Sequence, residues 1–296
     1  MISAVQLKGH TGPLYVLCAG AQSGRFFSAG SDGFVVEWDC ATMAQAGKVI
    51  RVGEAVYSLH FDRENEILLI GTSGGKIHVV DFRTSKELRC LEVHSKGIFG
   101  FYKLDEGLKF MALGGDGQTS LWSYPDFELL NSHQWHGGKC RELVAISSSL
   151  YAMATSSGEL IVIDPLLSII QKRFEAHSSG MTSLAIHPKK PILLTGGRDA
   201  HMNSWNIEND FEKILSMPLH NYAIYDMSFD PSTTILATAS RDKTIKLWDA
   251  SSMELIQKLD FHAGGHTRSV NDLLWISEKL FVSCGDEGVI VVWSLK

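Results

Sequence analysis

Residues 220–249 read HNYAIYDMSFDPSTTILATASRDKTIKLWD, and the rest of the chain is built as variations on this stretch. It holds three short apolar runs, IYDMSF, ILATAS and TIKLW, parted by the turn formers Asp230-Pro231-Ser232 and Arg241-Asp242-Lys243. Runs of five or six residues rich in β-branched and aromatic side chains, bounded by Asp, Pro and Ser, predict strands joined by tight hairpins. A fourth strand is expected in MELIQKLDFH, residues 253–262.

Working outward, the residue that ends the third strand recurs as Trp38, Val80, Trp122, Ile163, Trp205, Trp248 and Trp293, at intervals of 42, 42, 41, 42, 43 and 45. A period of about 40–45 residues carrying four strands is the mark of a β-propeller. Seven copies fill the chain. Six residues before each of those positions stands Asp32, Gly74, Asp116, Ser157, Asp199, Asp242 or Glu287. A leading histidine occurs as His10, His94, His136, His177, His220 and His266, with Val52 in its place in the second repeat.

This unit resembles a blade of the WD-repeat β-propeller family, with a His before the first strand, an Asp in a tight turn and Trp-Asp closing the third strand. The resemblance implies a hydrogen-bonded chain of His, Ser or Thr, Asp and Trp. It maps in full onto His10, Ser28, Asp32 and Trp38 in the first repeat and His177, Thr195, Asp199 and Trp205 in the fifth. In the sixth it maps onto His220, Thr238, Asp242 and Trp248. The chemistry is self-consistent, because a neutral imidazole donates to a buried carboxylate, while a hydroxyl both accepts from the donor-only indole and donates in turn. Repeat two has lost the whole set and repeat four is expected to keep only His136, so packing should hold those two blades.

Four residues after the His position stand Leu14, Val56, Ile98, Cys140, Met181, Ile224 and Val270; seven after it stand Leu17, Leu59, Phe101, Leu143, Leu184, Met227 and Leu273. All are apolar. A spacing of three cannot keep two side chains on one face of a regular strand, so each first strand should contain a β-bulge between them. The seventh repeat ends at Ser294-Leu295-Lys296 without a fourth strand, and Ile2–Leu7 followed by Gly9-His10 matches FEKILSMPLH, residues 211–220. The N-terminal strand is therefore expected to complete the seventh blade and remove an open sheet edge. The fold expected is all-β: one seven-bladed propeller domain over residues 1–296.

Composition narrows the function. A net charge of −6 and a pI near 6.0 without a Lys/Arg tract argue against nucleic acid or an anionic membrane as partner. Cys18, Cys40, Cys90, Cys140 and Cys284 are odd in number and lack a CxxC pair, so they read as small buried hydrophobes in a reducing, cytoplasmic setting. No apolar run has the length of a membrane span. Neither His133 with His136 nor His262 with His266 has the setting of a metal pair, and no metal or cofactor is expected.

Five residues after the His position stand Tyr15, Tyr57, Phe99, Arg141, Thr182, Tyr225 and Asn271. The resemblance implies that they lie on the narrower face, beside the residues preceding the turn Asp, which include Arg198 and Arg241. Aromatic residues and arginine are the types most enriched at binding hot spots, so Tyr15, Tyr57, Phe99, Arg141, Tyr225, Arg198 and Arg241 are the expected partner-binding set. The function expected is that of a monomeric, non-enzymatic scaffold for other proteins, taking an acidic segment with an apolar or aromatic anchor. The competing expectation is a propeller enzyme or a small-ligand or cation binder using Glu142, Asp226 and Asp272, the sixth-position carboxylates. A solvated channel mouth is the plainer expectation for those three acids.

Overall fold

The computed structural model describes residues 2–295, the Asp105 side chain excepted; Met1 and Lys296, the ends of the expected 1–296 unit, lie outside the described residues. Seven four-stranded antiparallel sheets are formed. The sixth holds Ile224–Phe229, Ile235–Ser240, Ile245–Asp249 and Leu255–Leu259, so the quoted stretch supplies three strands and the following segment the fourth. The first strands of successive sheets contact one another all the way round, which closes the sheets into a ring of blades. In the seventh blade Ile2–Lys8 pairs antiparallel with Val289–Leu295, from Ile2 opposite Leu295 to Lys8 opposite Val289. The blade is thus closed by the N-terminal strand, as the sequence predicts.

The core lies between blades. It divides into seven apolar clusters, each drawn from two neighbouring sheets. Phe281 and Trp293 of the seventh blade, for instance, pack with Ala237, Ile245 and Leu247 of the sixth. Burying both faces of a sheet explains why the second and third strands are near-continuous apolar runs such as Ile67–Thr72, buried at every residue.

The bulge expected in the first strands is present in all seven. The ladder slips between Leu14 and Val16, Val56 and Ser58, Ile98 and Gly100, and Cys140 and Glu142. It slips likewise between Met181 and Ser183, Ile224 and Asp226, and Val270 and Asp272. The fifth residue is the one left out of the pairing, and the apolar fourth and seventh residues both reach the core.

The hydrogen-bonded chain forms where the full residue set was read. In blade six His220 Nδ1 lies 3.0 Å from Asp242 and Nε2 2.7 Å from the Thr238 hydroxyl, which also accepts from the Trp248 indole at 3.1 Å. Blade one repeats this with His10, Asp32, Ser28 and Trp38, and blade five with His177, Asp199, Thr195 and Trp205. Two further blades complete it in ways the sequence reading did not find. In blade three His94 meets Asp116 and, at 2.8 Å, Ser120, whose hydroxyl accepts from Trp122 at 2.8 Å. In blade seven His266 bonds Glu287 and, at 2.7 Å, Ser283, which accepts from Trp293 at 2.8 Å.

Two sequence expectations need correction. His136 is exposed at φ +56° and is no relic of the network in blade four; the loop is anchored by Trp135, 1% exposed, whose indole donates to Thr119 of blade three at 2.8 Å. The cysteines are all free, but only Cys40, Cys140 and Cys284 are buried; Cys18 is half-buried and Cys90 exposed on an outer strand.

Candidate functional site

Because the bulge releases from the ladder the residue five after the His position of each repeat, those seven side chains are free to converge, and all seven line one cavity of about 520 Å³. The cavity opens at the end of the ring that carries the turns between second and third strands. Arg198, which precedes the turn residue Asp199, lines it, and Gly115, which precedes Asp116, lies so close to Phe99 that a Cβ would stand 2.9 Å from the ring.

One wall is aromatic. Tyr15 meets Tyr57 edge to face at 5.4 Å, Tyr57 stacks on Phe99 at 5.5 Å and 10°, and the Arg141 guanidinium covers Phe99 at 4.4 Å. The stack therefore ends on a cation, a favourable contact for a ring quadrupole. Burial and then Arg198 disfavour the charge on Arg141, whose Nε is buried without a hydrogen-bond partner. Lys139, which also lines the cavity, has its pKa lowered first by Arg141, then by burial, Lys96 and Arg198.

Tyr15, Tyr57, Phe99, Arg141, Arg198 and Tyr225 are thus brought together, and Arg241 is not. It is exposed, outside the cavity, with its guanidinium 5.9 Å from the Tyr222 ring. Lys139 was missed because it lies in the loop ahead of its strand, where no repeat position marks it.

The cavity floor holds the three acids, each half-buried and each taken up by the fold. Glu142 accepts the Leu184 N–H of the next blade at 2.7 Å, Asp226 that of Leu273 at 2.9 Å, and Asp272 that of Leu17 at 2.6 Å. Where blade three has Gly100 at this position, Tyr102 fills the space and its hydroxyl accepts the Leu143 N–H at 3.1 Å. Ser58 donates to Ile98 O at 2.9 Å, Asn271 to Leu14 O at 2.6 Å, and Thr182 to Ile224 O. Six of the seven blade junctions carry such a tie, and the remaining one is the Tyr15–Tyr57 contact. Burial, reinforced by Asp226, holds Glu142 well above the usual carboxylate range. Burial and Asp226 do the same for Asp272, which shares a hydrogen bond with Asp226. Besides lining the cavity, the three acids thus form part of a belt joining blade to blade.

Seven four-stranded blades in a ring, with the first strands framing one cavity, define a β-propeller of the repeat class. The profile described as WD domain, G-beta repeat matches residues 3–39, 168–206, 211–249 and 254–294, more than half of the chain. The chain belongs to the WD40 family. It is 24% identical over 316 aligned positions to a striatin homolog of Dictyostelium discoideum, covering 96% of this chain and 34% of that protein. Striatin of Rattus norvegicus is 21% identical over 289 positions, 93% of this chain and 33% of its own length. Eukaryotic translation initiation factor 3 subunit I of Sclerotinia sclerotiorum is 27% identical over 122 positions, 40% of this chain and 35% of that one. The chain thus spans about a third of the length of these relatives. Among the described residues no helix is long and apolar enough to cross a membrane.

Proposed function

We propose that this propeller is a protein-interaction scaffold that seats a partner segment in the cavity framed by Tyr15, Tyr57, Phe99, Arg141 and Tyr225. The observation that carries the reading is the pairing of an aromatic wall with Lys139, Arg141 and Arg198 in a protein of net charge −6. Three clustered cationic groups favour an acidic partner segment where the rest of the surface repels one. The rings supply large, rigid contact area for an apolar or aromatic anchor. Similarity to striatin and to a translation factor subunit supports a place in multiprotein assembly, and the fold alone does not name the partner. A cation or enzyme site built on Glu142, Asp226 and Asp272 is the weaker reading, since each already accepts a backbone N–H of the next blade.

The test is capture of a partner from a cell extract, followed by binding measurements on Tyr57→Ala, Arg141→Ala and Arg241→Ala proteins of verified circular dichroism. Loss of the half-buried stack or its capping guanidinium should weaken binding by about 2 kcal/mol or more. Removal of exposed Arg241 should chiefly slow association and flatten its salt dependence. Unchanged affinity in both Tyr57→Ala and Arg141→Ala would place the binding surface elsewhere on the ring.

A further inference from the structure

Blade two lacks every member of the hydrogen-bonded chain and has Val52, Gly74 and Val80 at the His, turn and Trp positions. It carries a different polar group on its two outer strands, Lys76–Asp81 and Lys86–Glu92. His78 and Cys90 are direct partners across this ladder, so both side chains stand on one face. Glu87 is three residues before Cys90 and would face the other way on a regular strand. The ladder slips between Val79 and Val80, leaving Leu88 as the extra residue, and this slip returns Glu87 to the side of Cys90. One nitrogen, one carboxylate oxygen and one sulfur then lie within 4.8 Å of one another, with His78 Nδ1 3.0 Å from Glu87 Oε1.

We propose that His78, Glu87 and Cys90 bind a divalent cation of borderline softness, Zn²⁺ above all, with water in the fourth position. Imidazole, carboxylate and thiolate together are the donor set of zinc. Metal–ligand lengths of about 2.0 Å to N and O and 2.3 Å to S put tetrahedral donors roughly 3.3–3.6 Å apart. The His–Glu pair is already near that spacing, and the exposed Cys90 thiol closes the remainder by a side-chain rotation of an ångström or so. To ligate through Nδ1 the His78 imidazole shifts its proton to Nε2, exchanging the Nδ1–H bond to Glu87 for a bond to the ion. Cys90 releases its thiol proton to solvent on binding, so affinity falls as the medium is acidified.

The arrangement is peculiar to this blade: the positions matching His78 hold Val36, Ser120, Ile161, Asn203, Lys246 and Val291, and none faces a cysteine. A bound ion would clamp third strand to fourth in a blade without the usual network.

The experiment is titration of the untagged, full chain with Co²⁺, then displacement by Zn²⁺, alongside thermal melts with Zn²⁺ and with chelator. One equivalent of Co²⁺ should give a thiolate-to-metal charge-transfer band, and Zn²⁺ should raise the melting temperature. Cys90→Ser should abolish the band, and His78→Ala should weaken Zn²⁺ binding by about tenfold or more. Glu87→Gln, at an exposed carboxylate, serves as a third variant should His78→Ala fail to fold. Absence of the band in the parent protein, or Zn²⁺ binding unaltered in Cys90→Ser, would overturn the proposal.

Discussion

The Thr238 hydroxyl accepts the Trp248 indole N–H and donates to His220, whose other nitrogen donates to Asp242. Burial alone would raise the Asp242 carboxyl. The His220 hydrogen bond, with Thr244 and the Asn221 amide, carries it well below the usual range instead. Asp242→Ala leaves those donors unpaired and should cost about 1–3 kcal/mol. Trp248→Ala also opens a cavity between blades five and six and should cost about 3–5 kcal/mol. Denaturant melts of both variants check this, and losses under about half a kcal/mol at both sites would show that the network adds little. Three such networks could be read directly from spacing and two could not, for reasons of geometry. Ser120 sits on the third strand opposite Ala112, so its hydroxyl reaches the point that a second-strand residue reaches elsewhere. Glu287 is one methylene longer than Asp and stands 21 rather than 22 residues after its histidine, which a search for Asp at fixed spacing passes over.

Among the strands, Ile2–Lys8 is the one whose loss should be felt most. It covers the Val289–Leu295 edge along its length, and Leu7 is buried in the cluster between blades seven and one. Removing residues 1–8 should lower the melting temperature and expose a bare edge that templates self-association. A truncated protein that stays monomeric by light scattering with an unchanged melt would contradict the closure. Strand-level features were legible where a period conflicts with itself: a spacing of three between two apolar residues in every repeat has no solution on a regular strand except a bulge. The outer strands offered no such constraint. Their faces are mostly exposed, as in Lys86–Glu92, so composition there is free, and the facing of His78 by Cys90 depends on a register that one sequence does not display.

Across the whole ring, the belt of ties sets an acid–base response. Glu142 holds its proton in the folded protein at pH values where the unfolded chain has lost it, because burial and Asp226 raise its pKa. The folded state then binds more protons, so this group's contribution to stability is full at low pH and is lost as pH rises above the unfolded carboxyl value near 4.3. Glu142→Gln keeps an oxygen to accept the Leu184 N–H and removes the titration. Its melting temperature should therefore gain on the parent between about pH 5 and pH 8. A difference that stays constant over that range would mean that Glu142 is ionised in the fold. The ring itself was legible in the repeat, whereas the belt was not, because each tie joins a side chain to a backbone N–H or carbonyl of another blade, 40 or more positions away, which carries no sequence signature.

The bulge has one more effect. A residue released from the ladder is also released from the demands of the core, since the fourth and seventh positions carry the packing on either side of it. Each blade therefore writes one letter into a common word around the axis, here Tyr, Tyr, Phe, Arg, Thr, Tyr and Asn. Some of these letters, Thr182 and Asn271 among them, also tie their blade to the next, but none is spoken for by the core, so one fold can carry many distinct mouths.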